Sequence, residues 1–268
     1  MVRRSRTARR RDRQHWVGGS ILLLIVLLVV AASVWWWTQR QAAPNPQTLC
    51  PAQGPRGHVV LLVDRTDPFN RAQKVAFDNL VRDVVERQLP TGYLLSVFML
   101  ADDFDRQTLP LVELCNPGDA RGHNELTENL RQIDRTYREK FLTPLREGSE
   151  RMVDAAPAQV SPVLEMLQMV SLQAFERHRV DGPRELIMVS DLLQHGPQFS
   201  FYRNPPSYEA FELTPFAQKT RVAFEGVDVR VALLLHQPAL QQEPLKRFWQ
   251  TYFERAGARS VRITPLPG

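Results

Sequence analysis

The stretch that decides the fold is HVVLLVDRTDP, residues 58–68. Its apolar run ends at Asp64 and is followed by turn residues. A short apolar run bounded in this way is typical of a central strand in a parallel sheet, where both faces of the strand are buried. A carboxylate at the end of such a strand needs polar partners from elsewhere in the chain.

Strand-like and helix-like patterns alternate through the rest of residues 58–268. Further strands are predicted at 93–100, 108–115, 185–190, 227–235 and 260–266, and helices at 70–89, 126–141, 161–178, 208–224 and 242–256. This alternation predicts an α/β fold, a doubly wound, mostly parallel sheet flanked by helices. The strand at 108–115 is expected at an edge, because Pro110 cannot donate a ladder hydrogen bond.

Two carboxylates follow buried strands in this pattern. Asp64 comes directly after the first strand, and Asp191 follows ELIMVS at 185–190. In open α/β sheets, ligands bind outside the carboxyl ends of the strands. Both acids are therefore expected at the edge where a site is normally found.

Three segments resemble the metal-site segments of von Willebrand factor A-like domains: VVLLVDRTDP, the helix start at Ser161-Pro162, and LIMVSDLLQHG. The family's first segment reads Asp-x-Ser-x-Ser, its second supplies a Thr, and its third an Asp. Asp64 and Thr66 match the first segment, Ser161 stands for the Thr, and Asp191 matches the last Asp. Pro68 occupies the third position of the first segment and has no hydroxyl, so the adhesion site is degenerate.

The resemblance implies a Mg²⁺ site formed by Asp64, Thr66, Ser161 and Asp191. Mg²⁺ prefers hard oxygen ligands, and few protein ligands leave positions open for a partner's group. In the resembled family such a metal captures a carboxylate of a partner protein. The implied function is therefore protein binding or assembly, and not an enzymatic activity.

Each of these residues also has a simpler interpretation. Asp64 and Asp67 could cap the following helix or shape the turn, as aspartate commonly does. Thr66 could be an ordinary turn residue. Ser161 before Pro162 has the usual order of an N-cap and a first helical residue. Asp191 is compatible with an ordinary turn at a strand end. Their joint occurrence at two strand ends and one helix start favours a shared polar site.

A metal-dependent hydrolase is the alternative function. It would use Asp64, Asp67 and Asp191 with His195, since transition metals favour histidine ligands. His58 begins the first strand and is expected at the opposite edge of the sheet. The sequence has no glycine-rich phosphate loop and no Gly-x-Ser-x-Gly turn, which argues against an NTPase or a serine hydrolase.

Residues 194–216 are rich in aromatic residues and prolines and directly follow the second acid. Phe199, Phe201, Tyr202 and Tyr208 are candidates for a partner-binding surface, because aromatic anchors dominate many interfaces. The alternative is that these side chains cover the core beneath a long loop. In a third hypothesis the domain has lost the metal and binds through these aromatic residues alone.

The N-terminal region has the charge pattern of a membrane anchor. Residues 1–16 contain seven arginines and one aspartate, and removing this excess of six from the formal net charge of +5 leaves the remainder at −1. The basic charge therefore gives the folded part no reason to bind nucleic acid. Residues 17–37 are uncharged and end in three tryptophans, which predicts one transmembrane helix.

The arginine-rich side of such a helix stays in the cytoplasm. We therefore expect a single-pass protein of the inner (cytoplasmic) membrane, with residues 1–16 as a cytoplasmic tail and the C-terminal domain in the periplasm or outside the cell. A cleaved signal peptide is the alternative, since Ala31-Ala32-Ser33 offers small residues at a cleavage position. This topology places the expected protein partners in the cell envelope, and the charge distribution gives no reason to expect nucleic acid among them.

Residues 38–57 are rich in proline, glutamine and alanine and predict a stalk before the domain. The two cysteines of the chain are Cys50, near the end of this segment, and Cys115. In an oxidising compartment such a pair favours a disulfide between stalk and domain. Two unrelated thiols are the alternative.

Overall fold

The chain divides into two compact units, Met1–Ala43 and Pro44–Gly268. The structure, a computed structural model, describes residues 22–36, 44–100, 109–121, 129–153, 158–203 and 207–266, without the side chains of 150–153. In the first unit, residues 22–36 form helix α1, whose side chains are exposed. Among the described residues, no helix combines the length and the apolar character that crossing a membrane requires. The predicted tail, 1–16, and both ends of the predicted span, 17–37, lie outside the described residues.

The second unit is built on a six-stranded sheet in the order β3-β2-β1-β4-β5-β6. Its strands are β1 (His58–Asp64), β2 (Leu94–Leu100), β3 (Val112–Cys115), β4 (Arg184–Ser190), β5 (Val227–Leu233) and β6 (Ser260–Pro265). β3 pairs antiparallel with β2 at one edge, and the other neighbouring pairs are parallel. The predicted α/β class with a mostly parallel sheet is confirmed.

The helices of this unit lie between the strands along the chain. They are α2 (Arg71–Asp83), α3 (Leu130–Thr136), α4 (Thr143–Val153), α5 (Val163–Val170), α6 (Tyr208–Glu212), α7 (Pro215–Lys219) and α8 (Glu243–Arg255), with short π-helical stretches after α2, α3 and α5. The single helix predicted over 208–224 is instead α6 and α7. Pro215 starts a new helix there, and Thr214 caps it by accepting a hydrogen bond from the Ala217 amide.

Alternate side chains of β1 enter two separate cores. Val60 and Leu62 belong to a cluster with side chains of α5 and α8, whereas Leu61 and Val63 pack with side chains of α2. All seven residues of β1 are buried. Helices therefore cover both faces of the sheet, which explains why the sequence of β1 is continuously apolar instead of alternating.

Residues 44–57, which precede β1, pack against the rest of the second unit. Leu49 is buried, and the Cys115 amide donates to the Thr48 carbonyl oxygen at 2.8 Å. A disulfide joins Cys50 to Cys115, so the predicted bond is confirmed. Most of the predicted stalk, from Pro44 to residue 57, thus belongs to the compact unit.

His58 lies at the amino end of β1, opposite the edge that carries Asp64. It is fully buried, and its Nε2 lies 2.9 Å from Ser96 Oγ. Burial, together with the neighbouring His178 and Arg184, lowers the pKa of His58 from 6.5 to about 3. The folded protein therefore holds this imidazole neutral at pH values where the unfolded chain would protonate it.

This difference predicts acid sensitivity. The contribution of His58 to stability is fully present above pH 6.5, and it is lost as the pH falls from there towards 3. Between pH 6.5 and pH 5 the loss is about 2 kcal/mol, at about 1.4 kcal/mol per pH unit. Urea unfolding at several pH values should show a steeper acid loss in the native chain than in His58→Gln; equal slopes would contradict the prediction.

Candidate functional site

The carboxyl ends of β1 and β4 bring the two predicted acids together. The strands are parallel neighbours in the sheet, Asp64 is the last residue of β1, and Asp191 follows Ser190 at the end of β4. Both aspartates are 3 % exposed. The chain leaves β1 towards β2 on one side and reaches β4 on the other, which is the switch point where ligands bind in such sheets.

Asp64 is held by three hydrogen bonds. Its Oδ1 accepts from the Thr66 amide at 3.0 Å and from the Thr66 hydroxyl at 2.7 Å, and its Oδ2 accepts from the Ser190 hydroxyl at 2.7 Å. Thr66 Oγ1 also lies 3.1 Å from Ser161 Oγ. The four predicted magnesium ligands are thus at one edge, and Asp64, Thr66 and Ser161 already form a hydrogen-bonded chain.

Ser161 is not an N-cap. The α5 helix begins at Val163 with Pro162 at the cap position, and its Leu164 amide donates to the side-chain Oε1 of Gln194 at 2.8 Å. Ser161 instead exchanges two backbone hydrogen bonds with His195, at 2.8 and 2.9 Å. This bridge holds the backbone of Ser161 at the site, where its hydroxyl lies beside that of Thr66. The cap of α2 is Asn70, so neither Asp64 nor Asp67 has that role.

The backbone after Asp191 is tightly held. Leu192 has a φ of 62°, a left-handed conformation that costs a non-glycine residue about 1–2 kcal/mol. The indole of Trp249 donates to the Leu192 carbonyl oxygen at 2.8 Å, and the side-chain Nε2 of Gln241 donates to the Asp191 carbonyl oxygen at 2.9 Å. The Leu193 amide donates to Asp191 Oδ1 at 2.9 Å. Side chains from distant elements therefore maintain the strained turn that carries Asp191.

The two buried carboxylates repel each other. Burial and the charge of Asp191 raise the pKa of Asp64 to about 7, against the opposing effect of its hydrogen bonds. Asp191 Oδ2 is buried and accepts no hydrogen bond. An edge with this excess of buried negative charge is suited to binding a cation or a positively charged group.

Sequence reasoning did not identify His236 as a site residue. It lies just after β5, and its Nδ1 is 3.6 Å from Asp191 Oδ2 and 3.8 Å from Asp67 Oδ2. Asp191 raises the pKa of this imidazole. The sequence could have indicated His236, because this histidine follows a buried strand, as Asp64 and Asp191 do.

His195, the histidine of the alternative hydrolase, has other contacts. Its Nδ1 lies 2.8 Å from Ser200 Oγ, and its ring packs edge-on against Tyr202 at 5.2 Å between centroids. With Thr66, Asp67 and Ser161 these two rings line a cavity of about 280 Å³. The cavity opens beside the acidic edge and gives it a mouth large enough for a side chain of a partner.

The aromatic segment divides into core and surface residues. Phe199 and Phe201 are 9 % and 3 % exposed and pack against Phe248. Tyr208 also contacts Phe248, whereas Tyr202 is 44 % exposed beside the cavity. Burial of the two phenylalanines favours the core-covering interpretation for them, whereas Tyr202 lies at the surface.

Comparisons with known proteins give a structural likeness. No protein-family model matches the sequence, and no curated protein matches it either. The crystal structure of the human COPII-coat protein Sec24c is similar to this chain, with a TM-score of 0.44 and 10% sequence identity, over 79% of this chain and 30% of that one. The chain thus spans less than a third of the length of Sec24c.

The raised pKa of Asp64 leads to a prediction. A carboxyl group whose pKa is higher in the folded than in the unfolded protein contributes stability that is fully present below its ordinary pKa of 3.8. This contribution is lost as the pH rises through about 7. Asp64→Asn removes the loss, so its Tm should exceed that of the native chain at pH 8 by about 2–4 °C for each kcal/mol gained. The difference should disappear near pH 4.

Thermal unfolding at the two pH values tests this expectation. Asp78→Asn is the matched control, because Asp78 is an exposed acid on α2. A Tm of Asp64→Asn below that of the native chain at pH 8 would mean that the hydrogen bonds of Asp64 outweigh its repulsion from Asp191.

Proposed function

We propose that this chain is a docking protein whose second unit is a von Willebrand factor A-like domain that binds a protein partner at its acidic carboxyl edge. The observation that supports the proposal most strongly is the pair of buried carboxylates, Asp64 and Asp191, next to an open cavity. Burying like charges costs stability. A fold that keeps both acids buried, with Asp191 beside the strained backbone of Leu192, gains no stability from the arrangement, which favours a role in binding.

A cation at this edge is part of the proposal. The Mg²⁺ set of Asp64, Thr66, Ser161 and Asp191 lies together, and Asp191 Oδ2 has no hydrogen bond to lose. Against this set, both oxygens of Asp64 are already hydrogen-bonded, and Pro68 contributes no hydroxyl. With a cation bound, the edge would attract a carboxylate of the partner instead of a basic side chain.

Photocross-linking in cells tests docking. A photoreactive amino acid at position 202 should give a cross-linked product with a partner, and Asp191→Asn in the same chain should reduce it at least about tenfold, as the loss of a buried charged contact does. The control position is Leu172, which is 49 % exposed. Products of equal yield from positions 202 and 172, or full retention in Asp191→Asn, would contradict the proposal.

The same experiment distinguishes the aromatic-loop hypothesis. If the domain binds without metal, Asp64→Ala should retain the cross-linked product. Tyr202→Ala, with the photoreactive amino acid moved to the exposed neighbouring position 203, should abolish capture. Phe201→Ala is unsuitable for this purpose, because Phe201 is buried and its truncation would destabilise the core.

A metal-dependent hydrolase remains the second candidate, supported by the Asp67, Asp191 and His236 cluster. It predicts release of product from simple phosphoester or ester substrates, with loss of that turnover in Asp64→Ala and Asp191→Ala. Binding of a partner without turnover would support docking.

We also propose that the domain is held at the outer face of the inner membrane by residues 17–37 with the N-terminus in the cytoplasm. The disulfide between Cys50 and Cys115 supports an oxidising compartment. Reporter fusions at the C-terminus test the topology: a periplasmic reporter should be active, and activity of a cytoplasmic reporter would overturn the location.

A further inference from the structure

The ends of three elements converge beside the acidic pair. Asp67 follows β1, Asp191 follows β4, and His236 follows β5, and each offers a ligand atom within 4.8 Å of the other two. Two of these distances, 3.6 and 3.8 Å, join His236 Nδ1 to the carboxylate oxygens of Asp191 and Asp67. Bonds of about 2.0–2.1 Å to a tetrahedral ion separate its ligand atoms by about 3.3 Å, so small side-chain movements would complete a three-ligand site.

The second nitrogen of His236 is oriented by Gln73. His236 Nε2 lies 3.3 Å from Gln73 Oε1, which also accepts a hydrogen bond from the Asn70 amide. Because Oε1 can only accept, Nε2 must donate. In the neutral imidazole the lone pair then belongs to Nδ1, which faces the two carboxylates. A hydrogen bond that fixes the ring in this way is the usual outer contact of a metal-ligating histidine.

Two of the three ligand atoms are buried without a hydrogen-bond partner. Asp191 Oδ2 and His236 Nδ1 face each other at 3.6 Å. Asp191 itself is 3 % exposed, so this oxygen is shielded from bulk solvent. Asp67 is half exposed and leaves one side of the cluster open to solvent.

We propose that Asp67, Asp191 and His236 bind a divalent cation of the Zn²⁺ class, with one coordination position open towards solvent. A mixed set of one imidazole and two carboxylates suits zinc and neighbouring transition metals, whereas Mg²⁺ prefers oxygen ligands alone. At the docking edge, these three residues would be the ligands of the cation, and the cation would be of the zinc class. The role of this metal site in the cell rests on the proposed docking function, but metal binding itself can be measured without a partner.

Cobalt absorption tests the site. The full-length chain, purified in detergent without a polyhistidine tag, is titrated with Co²⁺, whose visible spectrum reports a four- or five-coordinate site. We expect one equivalent to bind, to be displaced by Zn²⁺, and to resist a large excess of Mg²⁺. His236→Ala should abolish the band, and Asp67→Asn should weaken binding at least about tenfold.

Asp67→Asn carries little folding risk because Asp67 is half exposed, and thermal unfolding of both variants checks the fold. His178→Gln, a change in a histidine that contacts His58 at the opposite edge, should leave the titration unchanged. The proposal fails if no equivalent binds, if the band persists in both site variants, or if Mg²⁺ displaces Co²⁺. Failure here with cross-linking retained at position 202 would leave docking standing, and the reverse result would leave the metal site standing.

Discussion

Trp249→Ala is expected to lower the free energy of unfolding by about 3–5 kcal/mol, as large aromatic truncations in cores do. The Trp249 side chain is fully buried and packs against Phe201, Phe248 and Phe253. Its loss also leaves the Leu192 carbonyl oxygen without its donor. Urea unfolding monitored by circular dichroism measures the change in stability.

Trp249→Phe separates packing from the hydrogen bond. It keeps most of the apolar contacts and removes the indole N–H, so we expect a smaller loss of about 1–3 kcal/mol. Since Leu192 follows Asp191, this variant should also weaken cation or partner binding at the edge. Unchanged binding in Trp249→Phe would show that the strained turn is maintained without the indole.

Removal of the disulfide is the second large effect. Cys50 and Cys115 are 65 residues apart in the sequence, and closing a loop of that length is worth about 4 kcal/mol in the chain-entropy treatment. Cys115→Ala should therefore lower the free energy of unfolding by about 2–5 kcal/mol. The bond holds the segment that contains Leu49 against the edge strand β3, so the loss should be accompanied by easier proteolysis near residue 50.

The matched control is the set of single and double variants. Cys50→Ala, Cys115→Ala and the double variant should lose nearly the same stability, because each lacks the same bond. A double variant that loses twice as much as either single would mean that packing of the two side chains dominates, and that the loop constraint contributes little.

The local patterns of the chain were sufficient for the architecture. The apolar run of β1 predicted a strand buried on both faces, and Pro110 placed β3 at an edge; both features are present. The two acids were predicted at one edge because each follows a buried parallel strand. The helix over 208–224 was wrong, since Pro215 both allows a helix to start and prevents one from continuing through it.

Contacts between residues that are far apart in the sequence were harder to predict. Ser190 donates to Asp64 over 126 positions of sequence, and Ser161 lies near Thr66 over 95. Such contacts depend on the register of β1 against β4 and on where the chain enters α5. His236 joins the acids for the same reason, because β5 lies next to β4 and ends at the same edge.

The sequence by itself determined the sheet, one of its two edge strands and the edge at which the acids lie. These properties follow from burial periods, from proline chemistry and from the direction of parallel strands. Only the tertiary structure decided that Phe201 is core and Tyr202 surface, and that His236 is the histidine at the acids. Neighbouring residues in a loop have similar local patterns, and which of them is buried depends on the packing of distant helices such as α8.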